Sequence, residues 1–325
     1  MLSRRSLLAA AGASAATLAA PRLAFSAKPS EIRLDWAYYN PVSLILKEDA
    51  ILEKALAADG IGVRWVQSAG SNKALEFLSA GSIDFGSTAG AAALLGKING
   101  NPVKSIYVFS RPEWTALVAA KDSKVNAVAD LKGRSVAVTR GTDPHIFLVR
   151  ALAEAGLGAK DVRFVLLQHA DGMTALQRGD VDAWAGLDPM MAQAELEFGA
   201  RLFHRNKANN TWGVLNVRDG FAAEHPDLVG RVLAAYETAR ATALKNPARL
   251  RALLASQAKL PEAVIARQLD ERTELTHSVI GAAQSETIVA AGIALQEGGV
   301  IKPDVDVKAV VASLIEPRFS AALRS

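Results

Sequence analysis

Three short stretches of this 325-residue chain place small and polar residues just where an apolar run gives way to a helix. They are Gly70-Ser71-Asn72, Ser87-Thr88-Ala89-Gly90 and Arg140-Gly141-Thr142-Asp143-Pro144-His145. A helix start exposes backbone N–H groups that have no intrahelical partner. It also carries the positive end of the helix dipole, so it can hold an anion. In the first stretch Gly70 permits close backbone approach, and Ser71 or Asn72 can cap the helix or donate to a ligand. In the second, small residues leave room beside the helix start and Thr88 can donate; close helix–sheet packing explains the same pattern. In the third, Gly141 makes the turn, Thr142 or Asp143 caps, Pro144 suits the first helical turn, and His145 lies within that turn. Arg140 can reach an anion or simply be solvated. Asp188 is the acidic candidate, although capping the helix that begins at Pro189 would account for it alone.

An organic ligand also needs an apolar wall. Trp36, Tyr39, Trp114, Trp184 and Trp212 are the aromatic candidates, and core packing is the ordinary fate of each. Tyr39 and Trp114 are preferred, because both lie at strand ends beside loops. Asn40 is a further donor candidate.

Other chemistries lack their residues. There is no cysteine, which excludes disulfides, thiolate metal sites and cysteine nucleophiles. No G-x-S-x-G, H-E-x-x-H or Walker loop occurs, and Gly60-Ile61-Gly62 lacks the third glycine of a dinucleotide fingerprint. The histidines, at 145, 169, 204, 225 and 277, are too scattered to suggest a metal cluster. No catalytic residue, metal or cofactor is expected.

The elements that must position these residues alternate. Short apolar strands are predicted at 32–36, 63–67, 83–86, 105–110 and 114–120, with helices at 41–59, 72–80 and from about 88. A second unit repeats the pattern: strands at 135–139, 162–166 and 181–185, and helices at 142–155, 171–178 and 189–198. Residues 201–204 and 211–217 read as extended, and the chain is mostly helical from Pro226. This is an α/β architecture. It fits a two-lobed binding protein of type II, each lobe a mixed sheet flanked by helices. Lobe I comprises 28–114 with 217–325, and lobe II comprises 115–216. Thr115–Ala120 and Thr211–Val217 are expected as crossing strands that form the hinge.

The first 27 residues read as an export signal rather than part of the fold. Ser3-Arg4-Arg5-Ser6-Leu7-Leu8 opens a run of small and apolar residues, too short and Ala-rich to span a bilayer, and the paired arginines suggest the twin-arginine route. Cleavage is expected near Ser26 or Ala27. Lys+Arg number 37 against 33 Asp+Glu in the whole chain, and the signal holds Arg4, Arg5 and Arg22. The remainder therefore balances 34 against 33, a net charge of about +1. A nucleic-acid partner finds no support in that.

Val66 to Gly90 reads VQSAGSNKALEFLSAGSIDFGSTAG. With DLKGRSVAVTRGTDPHIFLVRALAEAGL (Asp130 to Leu157), DVRFVLLQHADGMTALQRGDVDAW (Asp161 to Trp184), AGLDPMMAQAE (Ala185 to Glu195) and the opening DWAYYNP (Asp35 to Pro41), it resembles the aliphatic-sulfonate-binding family of periplasmic ABC importer subunits. That family is related to taurine- and nitrate-binding proteins. The resemblance implies two α/β lobes closing on a small organic anion, most simply an aliphatic sulfonate. It also implies delivery to a permease in the inner membrane, a periplasmic location and a monomer. It places the 140–145 loop in the pocket. In relatives that take taurine, the acid corresponding to Asp188 pairs with the substrate ammonium. Leu187 departs from the pattern, since the family often has Trp before Asp188-Pro189. Taurine, a sulfate ester, nitrate and a thiamine pyrimidine precursor are the alternative ligands, and an enzyme of the same fold is the more distant one.

Overall fold

The computed structural model describes residues 28–324, so the expected export signal at 1–27 and its expected cleavage site lie outside the described residues. Eleven strands form two mixed sheets. The first holds β1 (Glu31–Trp36), β2 (Gly62–Gln67), β3 (Phe85–Ala89), β4 (Val103–Pro112), β10 (Gly213–Arg218) and β11 (Thr273–Glu274), in the order β11-β4-β10-β3-β1-β2. The second holds β5 (Thr115–Ala119), β6 (Ser135–Val138), β7 (Arg163–Leu166), β8 (Ala183–Leu187) and β9 (Arg201–His204), in the order β7-β6-β8-β5-β9. In each, three parallel strands meet antiparallel ones. β1 runs parallel to β2 and β3 while β10 opposes β3; β6 runs parallel to β7 and β8 while β5 opposes β8.

Period-2 alternation builds the sheets. In β5, Leu117 and Ala119 enter the core on one face and Ala116 and Val118 the core on the other. Both faces are covered by helices, so the strand reads as one unbroken apolar run. The first sheet is likewise covered on two sides, by cores that include Ile32, Leu34 and Phe85, and Val108, Val214 and Ile288.

The chain crosses between the sheets after β4, through Glu113-Trp114, and again between β9 and β10. The segments expected to cross, 115–120 and 211–217, mostly enter the sheets themselves, as β5 and β10. One predicted helix divides. Residues 41–59 form the helix Pro41–Glu48, a break at Asp49-Ala50, and the helix Ile51–Leu56 followed by a 3-10 turn. Ala50 has φ +48°, a left-handed conformation that ends the first helix. Asp49 is held there by Arg249 from a distant helix.

The two sheets do not sit apart. Ile146 and Val149, on the helix Asp143–Glu154 of the second sheet, pack in one core with Leu94, Ile288 and Leu295 from helices on the first.

Candidate functional site

Parallel strands deliver their C-terminal ends, and the helix starts that follow, to one edge of each sheet. Here the two edges face each other across a cleft. One cavity of about 170 Å³ is bordered by Tyr38, Tyr39, Ser68 and Ala69 from the first sheet, and by His169, Ala170, Leu187, Asp188 and Met190 from the second. A smaller cavity adjoins it, sharing Tyr39, His169 and Leu187 and adding Ser71, Trp114, Thr142, Asp143 and Pro144. No Lys or Arg borders either.

Three helix starts meet at this cleft: Ser71–Ser79 after Gly70, Asp143–Glu154 after Thr142, and His169–Arg178 after Gln168. None is capped by the side chain of its N-cap residue. Three positive dipole ends and their N–H groups therefore supply electropositive character that no side chain does. The fourth start, Met190–Phe198, is served by Asp188, whose Oδ1 accepts from Ala192 N at 2.9 Å.

The side chains divide by where their protons go. Ser71 Oγ accepts from Ala89 N at 3.0 Å, which leaves its own O–H to donate into the cleft. Thr142 Oγ1 donates to Thr139 O, Tyr39 Oη to Ser87 O, and Trp114 Nε1 to Asp143 Oδ2. Tyr39 and Trp114 consequently offer ring surface, packed edge to face with centroids 6.0 Å apart. Asn72 Oδ1, Gln168 Oε1 and both ring nitrogens of His169 are buried without a hydrogen-bond partner. Gly70 leaves room for two facing side chains. A Cβ there would stand 2.9 Å from Asn72 Oδ1 and 3.0 Å from His169 Nε2.

Other expected site residues lie elsewhere. Asn40, Ser87 and Thr88 are fully buried behind the cleft and committed to one another's neighbourhood. Asn40 caps the helix Pro41–Glu48 through Ser43 N and donates to Ser87 Oγ at 2.7 Å. Ser87 N and Oγ both donate to Asp35 Oδ1 at 2.8 Å, and Thr88 Oγ1 accepts from Asn216. Burial pushes the Asp35 carboxyl up to about 7 despite those bonds. Gly141 and His145 border a different cavity, with Arg140 and Lys302. Of the third helix start, the cleft receives Thr142 to Pro144 only.

Two ionisable groups that the sequence pattern does not single out stand here, His169 on the cleft wall and Arg272 behind Asp188, outside the residues that border either cavity. Arg272, at the end of the helix Glu262–Arg272, reaches across to Asp188, with Nη1 3.2 and 3.3 Å from the two carboxylate oxygens, and also binds Glu195. The pair is buried on both sides. Burial raises the Asp188 carboxyl to about 6, against the pull of Arg272 and of Ala192 N. His169 is 2% exposed, and desolvation alone holds its ring down to about 3, so it is neutral near pH 7. The signal that could have found it is positional. It opens a helix directly after β7, the pattern shared by the other starts.

Residues 56–250 match the family model described as NMT1/THI5 like. An Escherichia coli protein named for binding aliphatic sulfonates is 31% identical over 80% of this chain and 82% of its own. The crystal structure titled as the periplasmic aliphatic sulphonate binding protein SsuA from Escherichia coli superposes with a TM-score of 0.73 at 29% identity, covering 86% of this chain and 91% of that one. A structure from Xanthomonas axonopodis pv. citri, titled as the alkanesulfonate-binding protein SsuA bound to MOPS, gives 0.81 at 24% identity over 90% and 99% of the two chains. At that identity the last likeness speaks for the fold alone.

Proposed function

The chain belongs to the NMT1/THI5-like family, and from that premise we propose that it is the solute-capturing subunit of an ABC importer that holds an aliphatic sulfonate in the cleft between its sheets. The observation that carries the reading is the meeting of three helix starts, uncapped by their N-cap side chains, in a cleft without a cationic side chain. A sulfonate is a permanent anion with three acceptor oxygens, which backbone N–H groups and the Ser71 hydroxyl can serve together. Tyr38, Tyr39, Leu187 and Met190 give its carbon chain an apolar wall, in a cavity larger than a bare inorganic anion needs.

Asp188 favours an alkyl sulfonate over taurine. Its carboxylate is engaged by Arg272 and by Ala192 N, so it has little to offer a substrate ammonium. Closing follows from the same contacts. Residues 28–114 with 217–325 act as one lobe and 115–216 as the other, and a ligand that touches both favours the closed form. The closed form then docks on a permease in the inner membrane. Export through the signal at 1–27 places capture in the periplasm.

A thermal-shift screen tests the reading. The purified protein is melted with alkyl and aryl sulfonates, sulfate esters, taurine, nitrate and pyrimidines. A ligand bound only by the folded protein at one hundred times its Kd adds about 2.7 kcal/mol of stability. Alkyl sulfonates raise the melting temperature most; a rise with nitrate or pyrimidines and none with sulfonates contradicts the proposal.

A further inference from the structure

The relation between His169 and Gly70 goes beyond anion capture by helix starts. His169 opens the helix His169–Arg178 and borders both cavities of the cleft. Its Nε2 lies against Gly70 of the opposing sheet, where a Cβ would come to 3.0 Å. Neither ring nitrogen has a protein partner, although the residue is almost wholly buried. A neutral imidazole carries one N–H donor and one acceptor nitrogen. A buried donor left unpaired costs about 1–3 kcal/mol, so a native protein seldom keeps one without a use for it. Its neighbours in the cleft do not serve it. Tyr39, Trp114 and Thr142 spend their protons elsewhere, and Asp188 is tied to Arg272.

We propose that His169 is a ligand-recognition residue, which donates its single ring N–H to an oxygen of the anionic head of the ligand from the side of the cleft opposite Ser71. This rests on the anion-capture reading above and adds to it a donor that touches the ligand only when His169 and Gly70 are brought together. Desolvation keeps the ring neutral, so the contact is a hydrogen bond to the anion rather than an ion pair. Gly70 then has a second purpose beside close backbone approach: without a side chain there, the imidazole can come up to the opposing strand end.

The test uses calorimetric titration with pentanesulfonate. Three proteins are compared, the wild type, His169→Leu and His169→Gln, each first shown by melting to be folded. Losing a hydrogen bond to a charged group lowers affinity about tenfold to hundredfold. His169→Leu is expected to show that loss, and His169→Gln, which keeps a donor, to recover part of it. In parallel, long-range ¹H–¹⁵N spectra of the imidazoles should show one ring that is neutral at pH 5 and whose N–H proton moves downfield on adding pentanesulfonate. If the wild type binds pentanesulfonate and His169→Leu binds it equally well, or no ring responds, the His169 proposal is overturned while anion capture stands. If the wild type binds no sulfonate at all, both fall.

Discussion

Replacing Arg272 by Met removes the guanidinium and keeps much of the side-chain volume. Asp188 then remains 1% exposed with no cation beside it. Breaking a buried pair from one side costs about 3–5 kcal/mol, because an uncompensated charge is left behind. With about 2.1 cal/mol/K of unfolding entropy per residue over roughly 300 ordered residues, each kcal/mol lowers the melting temperature about 1.6 °C. Arg272→Met should therefore melt about 5–8 °C below the wild type at pH 7.5. The double variant Asp188→Asn/Arg272→Met removes the charges of that pair and should recover part of that loss, since Asn still accepts from Ala192 N while Glu195 stays without Arg272. Acid gives the same answer independently. The Asp188 carboxyl has a folded-state pKa raised to about 6 from 3.8, so its favourable contribution is complete below 3.8 and is lost as pH rises through 6. Without Arg272 the value climbs further, and by pH 5 the variant's Asp188 is neutral, so the gap from wild type closes. Differential scanning calorimetry at pH 5 and 7.5 reads all of this. A single variant within 2 °C of wild type at pH 7.5, or a double variant no better than the single, refutes the reasoning.

Gly70→Ala puts a methyl within 3.0 Å of His169 Nε2 across the cleft; it should weaken sulfonate binding about tenfold through roughly 1–2 kcal/mol of overpacking, by calorimetric titration, with little change in melting. Asn40→Ala should do the reverse, losing a cap and the bond to Ser87 for about 1–2 kcal/mol of stability while leaving affinity unchanged. Below pH 6.5 the His169 and His145 rings lose stability for the fold, because the unfolded chain protonates them while the folded rings are held to about 3 and about 4, and the raised carboxyls of Asp35 and Asp188 oppose that loss. Each ring contributes up to about 1.4 kcal/mol per pH unit, so in urea titrations the stability of His169→Gln should rise relative to wild type as pH falls from 6.5 to 4.

The strands were legible where both faces are buried, because an apolar run of four to six residues between turn residues is too short for a core helix. Their ends were less so. β8 begins at Ala183 rather than Val181, since Asp182 is drawn into a turn by Ser135 N and Oγ. The division of 41–59 was hidden because its apolar period continues across Asp49-Ala50; the partner of Asp49 at the break is Arg249, 200 residues away. β11 has only two residues and exists by pairing with Arg111 and Pro112, so no periodicity announces it. At the cleft, Tyr39, Ser71, Trp114, Thr142 and Asp188 could be named because strand ends and helix starts carry a local signature. Asn40, Ser87 and Thr88 share that signature and are drawn instead into contacts with Asp35 and Asn216, which sequence spacing does not reveal. Arg272 was invisible for the same reason, lying 84 residues from the carboxylate it neutralises.

The central claim is that a cleft without a cationic side chain holds a sulfonate by its helix starts. Calorimetric titration of the purified protein with pentanesulfonate at 20 mM and 500 mM sodium chloride tests it most directly. Local N–H donors in a buried cleft predict one-to-one binding whose affinity changes less than about threefold between the two salts, since buried contacts are weakly screened. No binding, or affinity that collapses at high salt as a surface ion pair would, contradicts the account.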